Sequence, residues 1–388
     1  MHPPFTIRQK TRWVRTKALG SMPRQFVRWP TLISKRSLTA CVAAQTLLAV
    51  SAAASTYAVG ERHFVAREPS AALRDAAHRD DLRVTLWYPA AADAVEVPLE
   101  IGPMYEPSSA APDAAFADQQ PRPVILFSHG FGGTARIMAW FGTALARHGY
   151  VVIAVDHPGN NGADPMTVGG AVLFWERPGD LAAALSRVES ETAIVTHLDE
   201  SRLGVAGFSA GGFTSLAAAG GRVDIPRLQA FCAAHPQDGM CAPQREFKFT
   251  EQQVNAFVAQ PEIARELTRS NGDLSVPGVR AVYVMAPALV QSFDPASLHQ
   301  MHVPVGIILG DADRVATPAT NGEVAAATIP GARIAVRPRV GHYDFLAQCT
   351  SAGDKEVPIC PTSVPRTQTH KAALDGALAL FDDAFGTP

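Results

Sequence analysis

Leu203-Gly204-Val205-Ala206-Gly207-Phe208-Ser209-Ala210-Gly211-Gly212 joins an aliphatic run to a serine set between glycines, and an alanine-rich stretch, 213–219, follows it. A continuous apolar run bounded by turn residues suits a strand buried on both faces, and the alanines suit a helix. G-x-S-x-G between strand and helix predicts a sharp turn that lifts the serine clear of the sheet at the strand's carboxyl end. Gly207 and Gly211 are needed there because side chains would collide with the neighbouring strand and helix, while the turn holds its serine in a strained conformation.

On either side of this stretch, apolar runs alternate with helical patterns. Segment 82–88 alternates as an outer strand, whereas 123–127, 151–155, 203–208, 279–285 and 305–309 are continuous aliphatic or β-branched runs. Helical patterns lie at 134–148, 179–197, 210–219, 320–328 and 367–385, with a further strand at 333–337. Alternation of this kind predicts a mostly parallel sheet with crossover helices on both faces. From residue 59 to 388 no repeat or linker divides the chain, so one domain is expected. The Pro-, Ala- and Asp-rich segment 103–123 reads as a surface loop. Two insertions, 160–178 and 222–278, are expected to overhang the carboxyl edge of the sheet as a pocket wall or cap.

A serine hydroxyl is a weak nucleophile and needs a base, which in turn needs an orienting acid. For a serine on such an elbow the chain order is serine, acid, histidine. His342, in Val340-Gly341-His342-Tyr343, follows the strand 333–337 and is the expected base. His129 and His157 stand at strand ends upstream of the serine, and His148 and His197 close helices, where a cation suits the dipole. His299 and His302 precede a strand, and His235 lies between two cysteines. The strand 305–309 runs into Gly310-Asp311-Ala312-Asp313. A G-x-x-D turn brings Asp313 round toward the histidine loop, making it the expected acid; Asp311, which suits a turn cap, and Asp344 are the alternatives. For a tetrahedral oxyanion, one donor is the N–H of Ala210, directly after the nucleophile, and the second belongs to the loop Ser128-His129-Gly130-Phe131-Gly132-Gly133, assigned to Phe131 with Gly132 as its alternative. A base must be neutral, so activity is expected to fall below about pH 6.5, the ordinary histidine value.

The 388 residues are 47% hydrophobic and 18% charged, with a formal net charge of −2, which fits a globular protein and gives no field for nucleic acid. No complete P-loop or dinucleotide fingerprint is present, and no cofactor or metal is expected. Arg24, Arg28, Lys35 and Arg36 precede a short apolar run, 38–50, and small residues follow to Ala54 and Ala58. Residues 1–58 therefore read as an export segment cleaved after Ala54 or Ala58, with Met22 as an alternative start. The apolar run is too short to span a bilayer comfortably. Its removal takes Cys41 and leaves Cys232, Cys241, Cys349 and Cys360. Of three connectivities, Cys232 with Cys241 and Cys349 with Cys360 closes the shortest loops, as suits an oxidising compartment; four free thiols are the alternative.

With the elbow, Leu86-Trp87-Tyr88-Pro89, the loop 128–133, Asp156-His157-Pro158-Gly159-Asn160, Asp313 and Gly341-His342 in view, the chain resembles the bacterial predicted dienelactone hydrolases related to platelet-activating-factor acetylhydrolases. The resemblance implies an α/β-hydrolase fold and a serine hydrolase acting on a small-molecule or lipid-like ester, and the export segment implies a periplasmic or secreted location. Two departures limit it. True dienelactone hydrolases carry a cysteine where Ser209 stands, and eukaryotic acetylhydrolases carry the acid where this chain reads Met285-Ala286-Pro287-Ala288. An amidase or peptidase on the same triad, or an inert binding protein that kept the fold, are the rival functions.

Overall fold

Aliphatic and β-branched residues with no polar face form the centre of the sheet, since strands covered by helices on both sides need apolar side chains in both directions. The computed structural model describes residues 56–242 and 248–388, which belong to one compact unit, Ala52–Pro388. The basic and apolar segments read as an export signal lie outside the described residues. Strands run in chain order as β1 Ala58–Arg67, β2 Asp81–Ala90, β3 Val97–Pro98, β4 Ser109–Pro112, β5 Arg122–Ser128, β6 Val151–Asp156, β7 Leu198–Phe208, β8 Val279–Met285, β9 Val305–Gly310 and β10 Arg333–Arg337. Among the described residues they form one sheet in the order β10-β9-β8-β7-β5-β6-β2-β1-β4-β3. The block from β10 to β6 is parallel, and β2 joins it antiparallel.

Helices are α1 Ala139–Arg147, α2 Val168–Val172, α3 Arg177–Glu189, α4 Ala210–Ala218, α5 Ile225–Ala234, α6 Glu251–Val258, α7 Pro261–Arg269, α8 Pro295–His299, α9 Gly322–Thr328, α10 Gly353–Glu356 and α11 Arg366–Phe385. The two-residue period of the strands feeds two cores. Val124, Leu126 and Ile153 face a layer with Leu181, Phe213 and Leu216. Ile125, Phe127 and Val152 face Phe141, Leu145 and Phe381 on the other side. This is an α/β-hydrolase fold, mostly parallel with flanking helices. Strand order reverses around β5: the chain goes out to β6 and returns across β5 to β7, so the loops after β5 and β7 meet where such sheets open a crevice.

Several expectations change. Strand β1 is absent from the sequence reading, although all ten of its residues pair with β2. The segment 103–123 is not wholly a surface loop: β4 lies in it with Ala110 and Ala111 buried, small enough to lie flat beside β1. The helix expected over 179–197 ends at Glu189, because Thr192, Ile194, Val195 and Thr196 are β-branched and resist continuation. Within 160–178, Asn160, Asn161, Phe174 and Trp175 are buried rather than overhanging, since the aromatic rings find core contacts. Two disulfides join Cys232 to Cys241 and Cys349 to Cys360. No helix among the described residues is long and apolar enough to cross a membrane.

Candidate active site

Ser209 sits between β7 and α4 with φ 54° and ψ −118°, a conformation that non-glycine residues hold only when their surroundings fix it. Its amide donates to Met285 O at 2.9 Å, and its carbonyl accepts from Gly212 and Ala288 at 2.8 and 3.0 Å. The flanking glycines leave no room for side chains. A Cβ on Gly207 would fall 2.2 Å from Gly211 O, and one on Gly211 would fall 1.8 Å from Ser128 O.

The loops after β9 and β10 bring two further groups to this serine. His342 Nε2 lies 2.9 Å from Ser209 Oγ, and His342 Nδ1 lies 2.6 Å from Asp313 Oδ2. The other carboxylate oxygen of Asp313 accepts from the amides of Val315 and Ala316, both at 2.8 Å, which fixes the carboxylate's orientation. All three side chains are buried, and the imidazole packs at 4.9 Å from the Phe208 ring. Asp311 and Asp344 lie outside this line: each caps a turn, accepting from the amides of Arg339 at 2.6 Å and Gly341 at 2.8 Å. His129 and His157 are fully buried beside the elbow but pair elsewhere, while His148 closes α1 and His235 closes α5.

The loop 128–133 passes against Ser209, since a Cβ on Gly130 would come within 3.3 Å of Ser209 Cβ. Gly132 donates its N–H to Asn160 Oδ1 at 2.9 Å and Gly133 donates to Gly130 O at 3.0 Å, so both amides already have acceptors. Ala210 is the first residue of α4, where the helix offers its N–H no acceptor.

A cavity of about 310 Å³ opens on Ser209 and His342. Its floor is Gly130 to Gly133 and Phe208, and its walls are Ile101, Tyr105, Ile137, Val315, Tyr343, Leu346 and Ile359. The expected wall is therefore replaced. Of 160–178 only Gly162 reaches the cavity, and none of the described residues of 222–278 does. The wall comes instead from 101–105 and from the loop closed by Cys349 and Cys360, stitched together by Glu106 N to Gln348 O and Thr350 N to Met104 O.

Beneath the loop 128–133 lies a set of buried charges that the sequence reading did not assign. Arg74 holds Asp180 with two bonds of 2.7 Å, and His157 Nδ1 meets the same carboxylate at 2.7 Å. Burial pushes the Asp180 carboxyl up, but the charge and hydrogen bonds of Arg74 prevail and hold it at about 2. Burial, with the charge of Arg177, drives His157 down to about 3. Burial also brings the Arg177 guanidinium down to about 9. The quoted motif Asp156-His157-Pro158-Gly159-Asn160 was the available signal; its partners lie far along the chain. Among the described residues, one group of cysteines and acids, Cys349, Asp354 and Cys360, is close enough to suggest a metal. Its sulfurs are joined to each other, which removes them as thiolate ligands.

Comparison with known proteins agrees with this architecture. The model of the Alpha/beta hydrolase family matches residues 125–351. Cutinase est2 of Thermobifida alba is 36% identical over 103 residues, 26% of this chain and 31% of that protein. Cutinase 2 of Thermobifida cellulosilytica is 34% identical over 103 residues, 26% of this chain and 36% of its own. These matches span about a third of the relatives' length. A solved ferulic acid esterase from Streptomyces cinnamoneus superposes with a TM-score of 0.55 at 20% identity, over 87% of this chain and 92% of that one. At that identity the likeness concerns the fold.

Proposed function

Because the chain belongs to the alpha/beta hydrolase family, we propose that it is an exported serine hydrolase that cleaves carboxylic esters through an acyl-enzyme on Ser209. The observation that carries this reading is the unbroken line Ser209 Oγ, His342, Asp313, with contacts of 2.9 and 2.6 Å. His342 Nε2 takes the hydroxyl proton as Oγ bonds to the ester carbonyl carbon. The amides of Ala210 and Phe131 receive the oxyanion, and Asp313 orients the imidazolium that forms. Collapse breaks the carbon–oxygen bond to the alcohol, which leaves with the proton from His342. Water, deprotonated by the same imidazole, then releases the acid and restores Ser209.

The small, largely apolar cavity suits a short-chain or lipid-like acyl ester. The partial likeness to cutinases points to ester rather than amide substrates. The finer kinship with dienelactone hydrolases and platelet-activating-factor acetylhydrolases rests on the sequence motifs alone. Two disulfides support a periplasmic or secreted location. Export cleavage after Ala54 is the choice that leaves β1 whole, because Ala58 pairs with Ala90 and Tyr57 N donates to Arg147 O at 2.9 Å.

The test is hydrolysis of a series of p-nitrophenyl esters beside the matched p-nitroanilides. Turnover of esters, absent in Ser209→Ala, is the expected result. Faster cleavage of the anilides would make the chain an amidase. A folded protein that turns over neither would be inert.

A further inference from the structure

Ser128, His157 and Asp180 form a second hydroxyl–imidazole–carboxylate line, with Ser128 Oγ 2.8 Å from His157 Nε2 and His157 Nδ1 2.7 Å from Asp180 Oδ2. It is no second reaction centre. Ser128, His157 and Asp180 are all completely buried, and Ser128 Oγ already lies 3.3 Å from the guanidinium of Arg177.

Its protons can be placed. His157 is neutral, so the ring nitrogen facing the Asp180 carboxylate carries the proton and the other accepts from the Ser128 hydroxyl. Ser128 Oγ in turn accepts from Arg177 Nη2, which also donates to the carbonyl of His129. His129 Nε2 accepts the backbone N–H of His157 at 3.1 Å, which puts its own proton on Nδ1, facing Gly130 O at 2.6 Å. Where the network meets the loop, its contacts thus fall on three consecutive residues, Ser128, His129 and Gly130, directly before Phe131. The outer face of the same segment is fixed by Gly211, whose missing side chain makes way for Ser128 O.

We infer that the buried Ser128–His157–Asp180 line, anchored by Arg74 and closed by Arg177, is a positioning device that aims the Phe131 amide at the oxyanion formed on Ser209. The inference rests on the ester-hydrolase reading, and it assigns Ser128 and Arg177 as positioning residues, since neither meets the substrate. Burying two guanidiniums and a carboxylate is a poor way to add stability but a good way to fix one geometry. A network that only supported the fold would leave the chemical step alone.

The experiment uses the full chain with Ser128→Ala, Arg177→Met and Arg177→Lys. For each, kcat and KM on p-nitrophenyl butyrate are expressed per Ser209 titrated with a fluorophosphonate, so that unfolded molecules do not count. Affinity for a phenylboronic acid, which binds serine as a tetrahedral oxyanion mimic, is measured alongside. Ser128→Ala is expected to lower kcat about 100-fold, with KM within about threefold, and to weaken the boronate by a similar factor. Arg177→Lys, which keeps one donor for His129 O, should recover at least about tenfold of what Arg177→Met loses. An unchanged kcat per titrated site, or a loss matched only by fewer titratable sites, would overturn the positioning role. Absence of Ser209-dependent turnover in the unaltered protein would overturn both this role and the reading beneath it.

Discussion

Gly211 and Ser128 interlock: the Ser128 carbonyl oxygen stands 1.8 Å from where a Gly211 Cβ would be. Helix α4 and the loop after β5 therefore approach to backbone contact, and that approach sets Ser209 beside the loop of amides. The glycine is a requirement of packing between two distant pieces of backbone as much as of the turn itself.

Gly211→Ala should accordingly be among the most damaging single-methyl additions in the chain. Overpacking against backbone, which cannot rotate away as a side chain can, is expected to destabilise by about 3 kcal/mol or more. Urea unfolding measures it; a midpoint equal to that of the parent would refute the interlock.

The two neighbouring carboxylates differ in what they hold. Asp313→Asn leaves acceptance from Val315 and Ala316 possible but removes the charge facing His342, so kcat on an aryl ester should fall by about 10³ to 10⁴. Asp311→Asn touches only the Arg339 turn and should leave kcat within about threefold. Steady-state kinetics on the two variants checks the contrast.

The two disulfides should separate in the same way. Cys349–Cys360 closes the loop that carries Ile359 into the cavity and is stitched to Met104 and Glu106. Replacing both cysteines with serine is expected to raise KM for butyrate and longer esters by about tenfold, with a smaller change for acetate. The loop closed by Cys232 and Cys241 contributes no residue to the cavity, meeting it through the packing of Gly239 on the Val315 backbone, and its removal should change KM by less than about threefold. Either loss should lower stability by about 2 to 3 kcal/mol, read from urea midpoints.

Acid should destabilise the fold before the carboxylates titrate. Burial holds His157 at about 3 and His370 at about 4, and with the neighbouring charge of Arg177 it drives His129 well below the ordinary 6.5. In the unfolded chain all three protonate near 6.5. Between that value and their folded ones the unfolded state binds more protons, so stability is full above about pH 6.5 and declines as pH falls toward 4. Glu176 and Glu189, raised by burial, act the opposite way but only from about 4.5 upward in the folded chain. Urea midpoints at pH 7.5, 6 and 5 should fall in that order. His370→Gln, keeping a donor for Leu346 O, should flatten the decline.

What the sequence made legible was whatever apolar pattern and turn chemistry encode locally. Segments 124–127, 151–155 and 305–309 carry no polar side chain, and each is a buried strand. Ser209, Asp313 and His342 each follow such a strand or its neighbour, which is why their positions could be read. Strand β1 escaped because its polar letters hide pairing. Glu61 is only 7% exposed, but it takes the Trp87 indole at 2.7 Å and Arg136 at 3.0 Å. Arg74 and Asp180 bond across 106 residues, a distance over which no periodicity speaks. The pocket wall was misplaced for a related reason. Insertion length suggested 222–278, whereas the cross-links from Met104 and Glu106 to Thr350 and Gln348 depend on backbone bonds that no motif announces.

The account stands or falls on Ser209 reacting with help from His342, and covalent labelling reads this directly. The full chain is treated with a fluorophosphonate, the adduct is located by peptide mass, and the labelling rate is compared with that of His342→Ala. One adduct per chain on Ser209, absent in Ser209→Ala and at least about 10³-fold slower in His342→Ala, is the predicted result. An adduct on another residue, or an unchanged rate without the imidazole, would contradict it.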